Sequence, residues 1–356
     1  KIGSYLGKKH EVSVLTFLPL PSLPTIEQYS NITISRISPH LRILKGMINL
    51  FYPLISLWHV FKSDAVFINI PQLEGKFPAF WGWVLRKKVY AIYHCELSFD
   101  QGFFYKIAEI VSHASHFLIC FFSKKIIVYT KDYARSTLFL KFFSSKILEV
   151  LPPVEIEKID EKYLRYLTAS AKGRSSFGRK IGFSGRISHE KGIEYLLEAI
   201  KLLKDKHPYI HLYLAGPYGK DVVGEEKYYK KILSIVAGSR LQVTFLGKLS
   251  KPQLSAFYSF IDVLVLPSIN KTESFGMVQA EALLSGTPVV ASNLPGVRVP
   301  IQLTKWGFIS EIGNTESLAT QIDKALHLKK ENAPLALIRN TFDILRTYEF
   351  YEKLIG

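Results

Sequence analysis

The sequence predicts an α/β protein of two doubly wound domains, and three observations carry that prediction. Short β-branched and aromatic runs alternate with longer helical patterns, the alternation stops at a polar stretch near the middle, and it then resumes. At 356 residues the chain is too long for one ordinary core and fits two. Hydrophobic residues make up 48% and charged residues 21%, with no low-complexity tract or fixed-period repeat, which excludes disordered and solenoid classes.

The first domain is read over residues 1–152. Its strands are EVSVLTF (11–17), AVFINI (65–70), KVYAIYH (88–94), KIIVYT (125–130) and KILEVLP (146–152), apolar runs separated by crossover segments, as in a parallel sheet buried on both faces. The polar segment after Leu151 opens with two prolines and ends in a Gly/Ser/Lys cluster, so residues 153–179 read as a linker. The second domain, 180–340, supplies KIGFSG (180–185), a helix over 193–207, HLYLAG (211–216), a helix around 226–236, QVTFLG (242–247), DVLVLPS (262–268) and PVVAS (288–292). Apolar residues at helical spacing over 341–356 predict a terminal helix that packs back on the first domain. Two such domains face to face leave a cleft at the carboxyl ends of their strands, where ligands of open α/β sheets bind.

Chemistry concentrates in the second domain. In KTESFGMVQAEALLSGTPVVAS, a loop holding Glu273 leads into a helix holding Glu281 and closed by Gly286. The first-turn amides around Phe275, Gly276, Met277 and Val278, with the positive end of the helix dipole, make a diphosphate site. Eight residues at helical rise span at most about 12 Å, which suits a donor stretched between the two carboxylates. Carboxylates repel phosphate but accept hydrogen bonds from hydroxyl groups, so each end suits a sugar. KIGFSGRISHEKGIEYLL repeats the strand, glycine turn and helix, with Gly185, Arg186 and Lys191 in the turn. Two cations there would neutralise a diphosphate and the charge it gains as a leaving group, although basic residues in such loops are commonly only solvated. In the first domain, VYAIYHCELSF puts His94 at the carboxyl end of a strand, where an imidazole could bond a sugar or simply hold the structure together.

Composition narrows the partners. The net charge is +16, and basic and aromatic residues interleave in the first half, which favours a polyanionic partner, either nucleic acid or an anionic membrane face, or else a merely solvated basic surface. Only Cys95 and Cys120 are present, which excludes a disulfide framework or a cysteine-based zinc site. The apolar run at 46–61 contains Pro53 and falls short of the roughly 20 residues of a membrane span. The sequence has no D-x-D triplet, no metal-ligand spacing, no G-x-x-x-x-G-K-[ST] and no G-x-G-x-x-G.

The succession GxxGR(x4)KG, LAGPYG at 214–219, VTFLGKLS and PSI(x3)ESFGMVQAEALLSGTPVVAS resembles the GT-B glycosyltransferases of the large retaining family 4, the glycosyl transferases of group 1. The resemblance implies two Rossmann-like domains (GT-B) and a retaining hexosyltransferase that needs no metal and no cofactor beyond a nucleotide-diphosphate sugar as co-substrate. It implies that Arg186 and Lys191 bind the diphosphate, that Glu273 touches the transferred sugar, that Ser274 and the amides at Gly276 to Val278 adjoin the phosphates, and that Glu281 holds the ribose. Gly247 and Lys248 would lie near the base, and His94, followed by Glu96, would meet the sugar or the acceptor. The first strand and glycine loop of the first domain have no counterpart before SYLGKKHEVSVL. The acceptor would belong to glycan, polysaccharide or glycolipid synthesis. A cytoplasmic protein, peripheral on the inner membrane face, is expected, and nucleic acid is not. A sugar-nucleotide epimerase and a non-catalytic or truncated GT-B homologue are the alternatives.

Overall fold

The computed structural model describes residues 1–43, 46–97, 103–137, 139–172 and 178–356. They form two compact units, Lys1–Pro153 with Ile344–Gly356, and Val154–Asp343.

Unit 1 opens with helix α1 (Ile2–Leu6) and strands β1 (Val12–Phe17), β2 (Ile26–Tyr29), β3 (Ile32–Ile37), β4 (Leu41–Ile43) and β5 (Gly46–Ile48). Then come α2 (Tyr52–Phe61), β6 (Ala65–Ile70), α3 (Lys76–Val84), β7 (Lys88–Tyr93), α4 (Phe103–Phe122), β8 (Lys125–Val128), α5 (Lys131–Ser136) and β9 (Ile147–Glu149). Strands β6-β7-β8-β9 form a parallel sheet in chain order. One face of that sheet packs Ile68, Val89, Ala91 and Ile126 against Ala79 of α3 and Ile119 of α4, and the other packs Tyr90, Ile92 and Ile127 under Leu6 of α1. Burial on both faces explains why these strands read as continuous apolar runs.

Two expectations need correction. A single parallel sheet was expected in the first domain, yet among the described residues β1 pairs in parallel with β3 in a separate three-stranded sheet, β1-β3-β2, while β4 and β5 form a two-stranded ribbon. Residues 153–179 were expected as linker, yet they contain α6 (Glu161–Lys172). Asp160 caps that helix by accepting from the Tyr163 amide at 2.9 Å, and α6 packs on a later helix of unit 2. The signal was weak because Leu167 is the helix's one fully buried apolar side chain among the described ones. Most of the Gly/Ser cluster that follows lies outside the described residues.

Unit 2 continues with β10 (Lys180–Ser184), α7 (Ile193–Leu203), β11 (His211–Ala215), α8 (Glu226–Ala237), β12 (Gln242–Gly247), α9 (Lys251–Phe260) and β13 (Val263–Leu266). It ends with α10 (Met277–Leu284), β14 (Val289–Ser292), α11 (Val299–Thr304), β15 (Gly307–Ser310), α12 (Thr315–Leu326) and α13 (Leu335–Thr341). The strand order is β12-β11-β10-β13-β14-β15, all parallel. Chain order therefore reverses between β10 and β13, and the loops leaving those two strands open a crevice at their carboxyl ends. The last helix, α14 (Ile344–Ile355), belongs to unit 1, where Tyr351 joins the cluster of Leu6, Tyr90, Ile92 and Ile127.

Candidate functional site

Arg186, Lys191 and Glu273 lie on the two loops that leave β10 and β13, Glu281 lies in α10, and Lys248 follows β12. Gly185 ends the first strand with φ +151°, and its amide donates to the Ala215 carbonyl at 2.9 Å. A Cβ at Gly216 would stand 1.9 Å from the Gly185 carbonyl oxygen, so the two strand ends come together only because residue 216 has no side chain. The Gly216 amide donates to the Gly247 carbonyl at 2.8 Å, which ties the end of β12, with exposed Lys248 next to it, to the same crest.

The two loops are bonded to each other. The Ile269 amide donates to the Glu190 carbonyl at 3.0 Å, and Gly192 sits so close to the Pro267 carbonyl that a Cβ would approach it to 2.4 Å. Lys191 and Glu273 form an ion pair across this seam, with only 15% and 16% of their side chains exposed. A pair so shielded from water holds both groups in place far better than a surface pair would. Arg186 stays 52% exposed and pairs with Glu190 at 2.8 Å, so it remains accessible to an incoming anion.

Behind the loop, Gly276 takes φ +73° directly before α10. A Cβ there would meet Leu266 Cδ2 at 2.5 Å and Gln279 Nε2 at 2.6 Å. Gln279 is wholly buried and donates to the Phe275 carbonyl at 3.0 Å and the Val297 carbonyl at 2.9 Å, which fixes the turn. The opening turn of α10 then presents the Met277 and Val278 amides, which have no partner within the helix. Met277 is exposed, Ser274 is buried, and Phe275 is a core side chain whose ring packs edge-on against Phe342. What Phe275 can offer a ligand is backbone.

Glu281 is fixed from below. The Tyr258 hydroxyl, on α9, donates to Glu281 Oε2 at 2.7 Å and lies 3.3 Å from Ser184 Oγ at the end of β10. Burial and the neighbouring carboxylate push the Tyr258 phenol well above its ordinary pKa, so it stays a donor. The structure thus brings Gly185, Lys191, Glu273, Gly276 and Glu281 to one switch point, with Arg186 on its rim. Of the residues that position these groups, Gln279 and Glu190 lie inside the sequence motifs, whereas Tyr258 lies in none of them.

His94 belongs to unit 1, where it follows β7. Its Nε2 lies 2.8 Å from Asn69 Oδ1 and its Nδ1 2.6 Å from the Tyr129 hydroxyl. An amide oxygen only accepts, so with this side-chain orientation Nε2 carries the proton and Nδ1 accepts from Tyr129. Burial lowers the His94 pKa, which keeps this neutral tautomer at neutral pH. Among the described residues no cluster of three His, Cys, Asp or Glu side chains is placed to hold a metal ion.

Comparisons with known proteins bear on family and fold. Residues 170–341 match the family of glycosyl transferases group 1. An uncharacterized glycosyltransferase of Methanocaldococcus jannaschii is 32% identical over 169 residues, 45% of this chain and 41% of that protein. The chain thus spans about two fifths of that curated relative's length. Among solved structures, sucrose-phosphate synthase of Thermosynechococcus elongatus superposes with a TM-score of 0.76 at 19% identity, over 99% of this chain and 91% of that one. Anabaena HepE in complex with UDP-glucose superposes at 0.71 and 18% identity, over 90% and 85%. Residues 170–341, which hold every unit 2 candidate, are thus similar to the glycosyl transferases group 1 family, and the chain has the α/β fold of GT-B glycosyltransferases.

Proposed function

We propose that the protein transfers a sugar from a nucleoside diphosphate donor to an acceptor hydroxyl, with retention of configuration and without a metal ion. The observation that carries this reading is the Lys191–Glu273 pair at the β10/β13 switch point, beside the amino end of α10. The diphosphate lies along the first turn of α10, where the Met277 and Val278 amides, the helix dipole, Lys191 and Arg186 supply positive charge. Glu273 accepts hydrogen bonds from the sugar, and Glu281, held by Tyr258, accepts them from the ribose. Gly247 and Lys248 border the base.

In the transfer, the bond from the anomeric carbon to the diphosphate oxygen breaks and its electron pair leaves with the nucleotide. The acceptor oxygen bonds the same face of that carbon, and its proton passes to the departing phosphate oxygen. Charge grows on the leaving group during this step, so fixed cations stabilise the transition state more than the bound donor. His94 would meet the sugar or the acceptor only by exchanging its bond to Asn69 or Tyr129 for one to the ligand. The acceptor belongs to glycan, polysaccharide or glycolipid synthesis, and the HepE complex supports a uridine diphosphate sugar as the first donor to try.

Thermal melts with UDP, UDP-glucose and GDP-mannose test the donor site on the parent chain, Lys191→Ala and Glu281→Ala. A nucleotide at a hundredfold excess over its Kd stabilises by about 2.7 kcal/mol, a clear shift in Tm that both variants lose. If no nucleotide raises the parent's midpoint, the donor site is wrong. An inverted anomeric linkage in the product removes retention, and loss of transfer with chelator removes metal independence.

A further inference from the structure

Helices α2, α3 and α4 form one layer in which α2 packs on α3 and α3 on α4. The Trp81 indole donates to the Pro53 carbonyl at 2.9 Å, and the Phe122 ring lies 5.5 Å from Phe80 and 5.4 Å from Trp83. The inward side of the layer buries Tyr52, Val60, Ala79 and Ile119.

The outward side should be polar if it faced only water. It is apolar instead. On α2 the solvent side is Phe51, Leu54, Trp58 and Phe61, each more than half exposed and spaced by three or four residues. Phe80, Trp83 and Val84 continue it on α3. On α4, Ile110 is 68% exposed, and Ile107, Phe117 and Phe121 share its side. Single exposed apolar residues are ordinary, but a contiguous patch over three helices marks an interface.

Charge identifies the partner. The three helices lead into the starts of the parallel strands β6, β7 and β8 through short connections, residues 62–64, 85–87 and 123–124, so their carboxyl ends meet one edge of the sheet. Those connections carry exposed Lys62, Arg86 and Lys124 together with Lys87, and Asp64 as the acidic residue. The Lys62 ammonium sits 4.1 Å above the Trp58 ring, at the junction of the apolar side and the basic edge. Aromatic rings beside snorkelling cations match the boundary between lipid tails and anionic headgroups. A second copy of the same face would bring no opposite charge to these groups. Among the described residues no helix is long and apolar enough to cross a membrane.

We propose that this face of unit 1 is a docking surface for an anionic lipid bilayer, with α2, α3 and α4 in the plane of the interface and Lys62, Arg86 and Lys124 against lipid phosphates. The inference stands on unit 1 alone and does not need the donor site. Flotation of the full chain with phosphatidylcholine vesicles, and with vesicles that also contain phosphatidylglycerol, tests it at low and high salt. The parent chain should float with anionic vesicles at low salt and be released at high salt. Lys62→Ser/Arg86→Asn/Lys124→Ser should weaken that binding by about fivefold per charge removed, and Trp58→Ser/Ile110→Ser should abolish it. Retained melting midpoints and an unchanged far-UV circular dichroism spectrum establish that both variants fold. The proposal is overturned if the parent floats with no vesicle, or floats equally with neutral ones and ignores the charge changes. It is also overturned if light scattering shows a dimer, indifferent to lipid, that Trp58→Ser/Ile110→Ser splits; a second copy would then cover the face.

Discussion

The Tyr258 phenol helps to set where the Glu281 carboxylate points, donating to it from beneath at 2.7 Å. Replacing Tyr258 with Phe removes a hydrogen bond to a charged group at a buried site, a loss of about 1.5 to 3 kcal/mol in stability. It should also weaken UDP binding by about tenfold, since Glu281 then loses one of the bonds that orient it toward the ribose. Calorimetric titration of Tyr258→Phe with UDP measures this, and an unchanged Kd removes Tyr258 as a positioning residue. Glu281 was legible in the sequence because it sits inside a dense motif at a helical offset from Gly276. Tyr258 was not, because it comes from a different helix and only the fold brings α9 under α10. His116 was equally silent. It is fully buried, neither ring nitrogen has a hydrogen-bond partner among the described residues, and burial, aided by His113, lowers its pKa to about 4. The folded chain thus holds this imidazole neutral while the unfolded chain takes a proton below about pH 6.5. Stability should fall as pH drops from about 6.5 toward 4, by up to about 1.4 kcal/mol per pH unit from this group. The urea midpoint of the parent should fall more steeply across that range than that of His116→Leu, and equal slopes would refute the assignment.

At the scale of elements, the site depends on two strand–turn–helix units whose glycines are fixed by contact and by backbone angle together. Gly276 combines φ +73° with a Cβ position blocked by Leu266 and Gln279. Gly276→Ala should therefore cost roughly 1 to 3 kcal/mol from the backbone alone and tilt the first turn of α10, so nucleotide binding falls more than the stability loss explains. Comparing the denaturation midpoint with the UDP Kd of this variant separates the two effects, and a variant that binds UDP normally would show that the turn does not shape the site. These units were readable because an apolar strand, a glycine and an amphipathic helix follow one another within a few residues. The pair β2 and β3 was not, since its turn at Ser30 and Asn31 lacks a glycine and Ser30 itself takes φ +53°. Nor was α6, whose Tyr163, Leu164 and Leu167 stand at helical spacing but between two prolines and a Gly/Ser cluster that read as a linker.

At the scale of the whole molecule, the chain leaves unit 1 at Pro153, builds unit 2, and returns at Ile344. Helical spacing in the last residues suggests a helix, but not which strands it covers, because that depends on a contact between segments over two hundred residues apart. Tyr351 fills this contact, 1% exposed among Leu6, Tyr90, Ile92 and Ile127. Around it the Tyr90 hydroxyl donates to the Leu354 carbonyl at 2.7 Å, the Lys88 ammonium to the Ile355 carbonyl at 2.6 Å, and Tyr5 stacks on Tyr348 at 4.5 Å. Tyr351→Ala leaves a cavity under a large ring, worth roughly 3 to 5 kcal/mol. The unit's stability then depends on a helix that no neighbouring sequence supports. The loss should stay local, because the residues it unpacks all belong to unit 1 while β10 to β15 carry their own core. Hydrogen exchange should accelerate in β7, β8 and α1 and remain unchanged in β10 and β13, and the melt should split into two transitions. If protection falls equally in both units, they unfold as one cooperative body. Tyr351 would then stabilise the donor site as well as the sheet it covers.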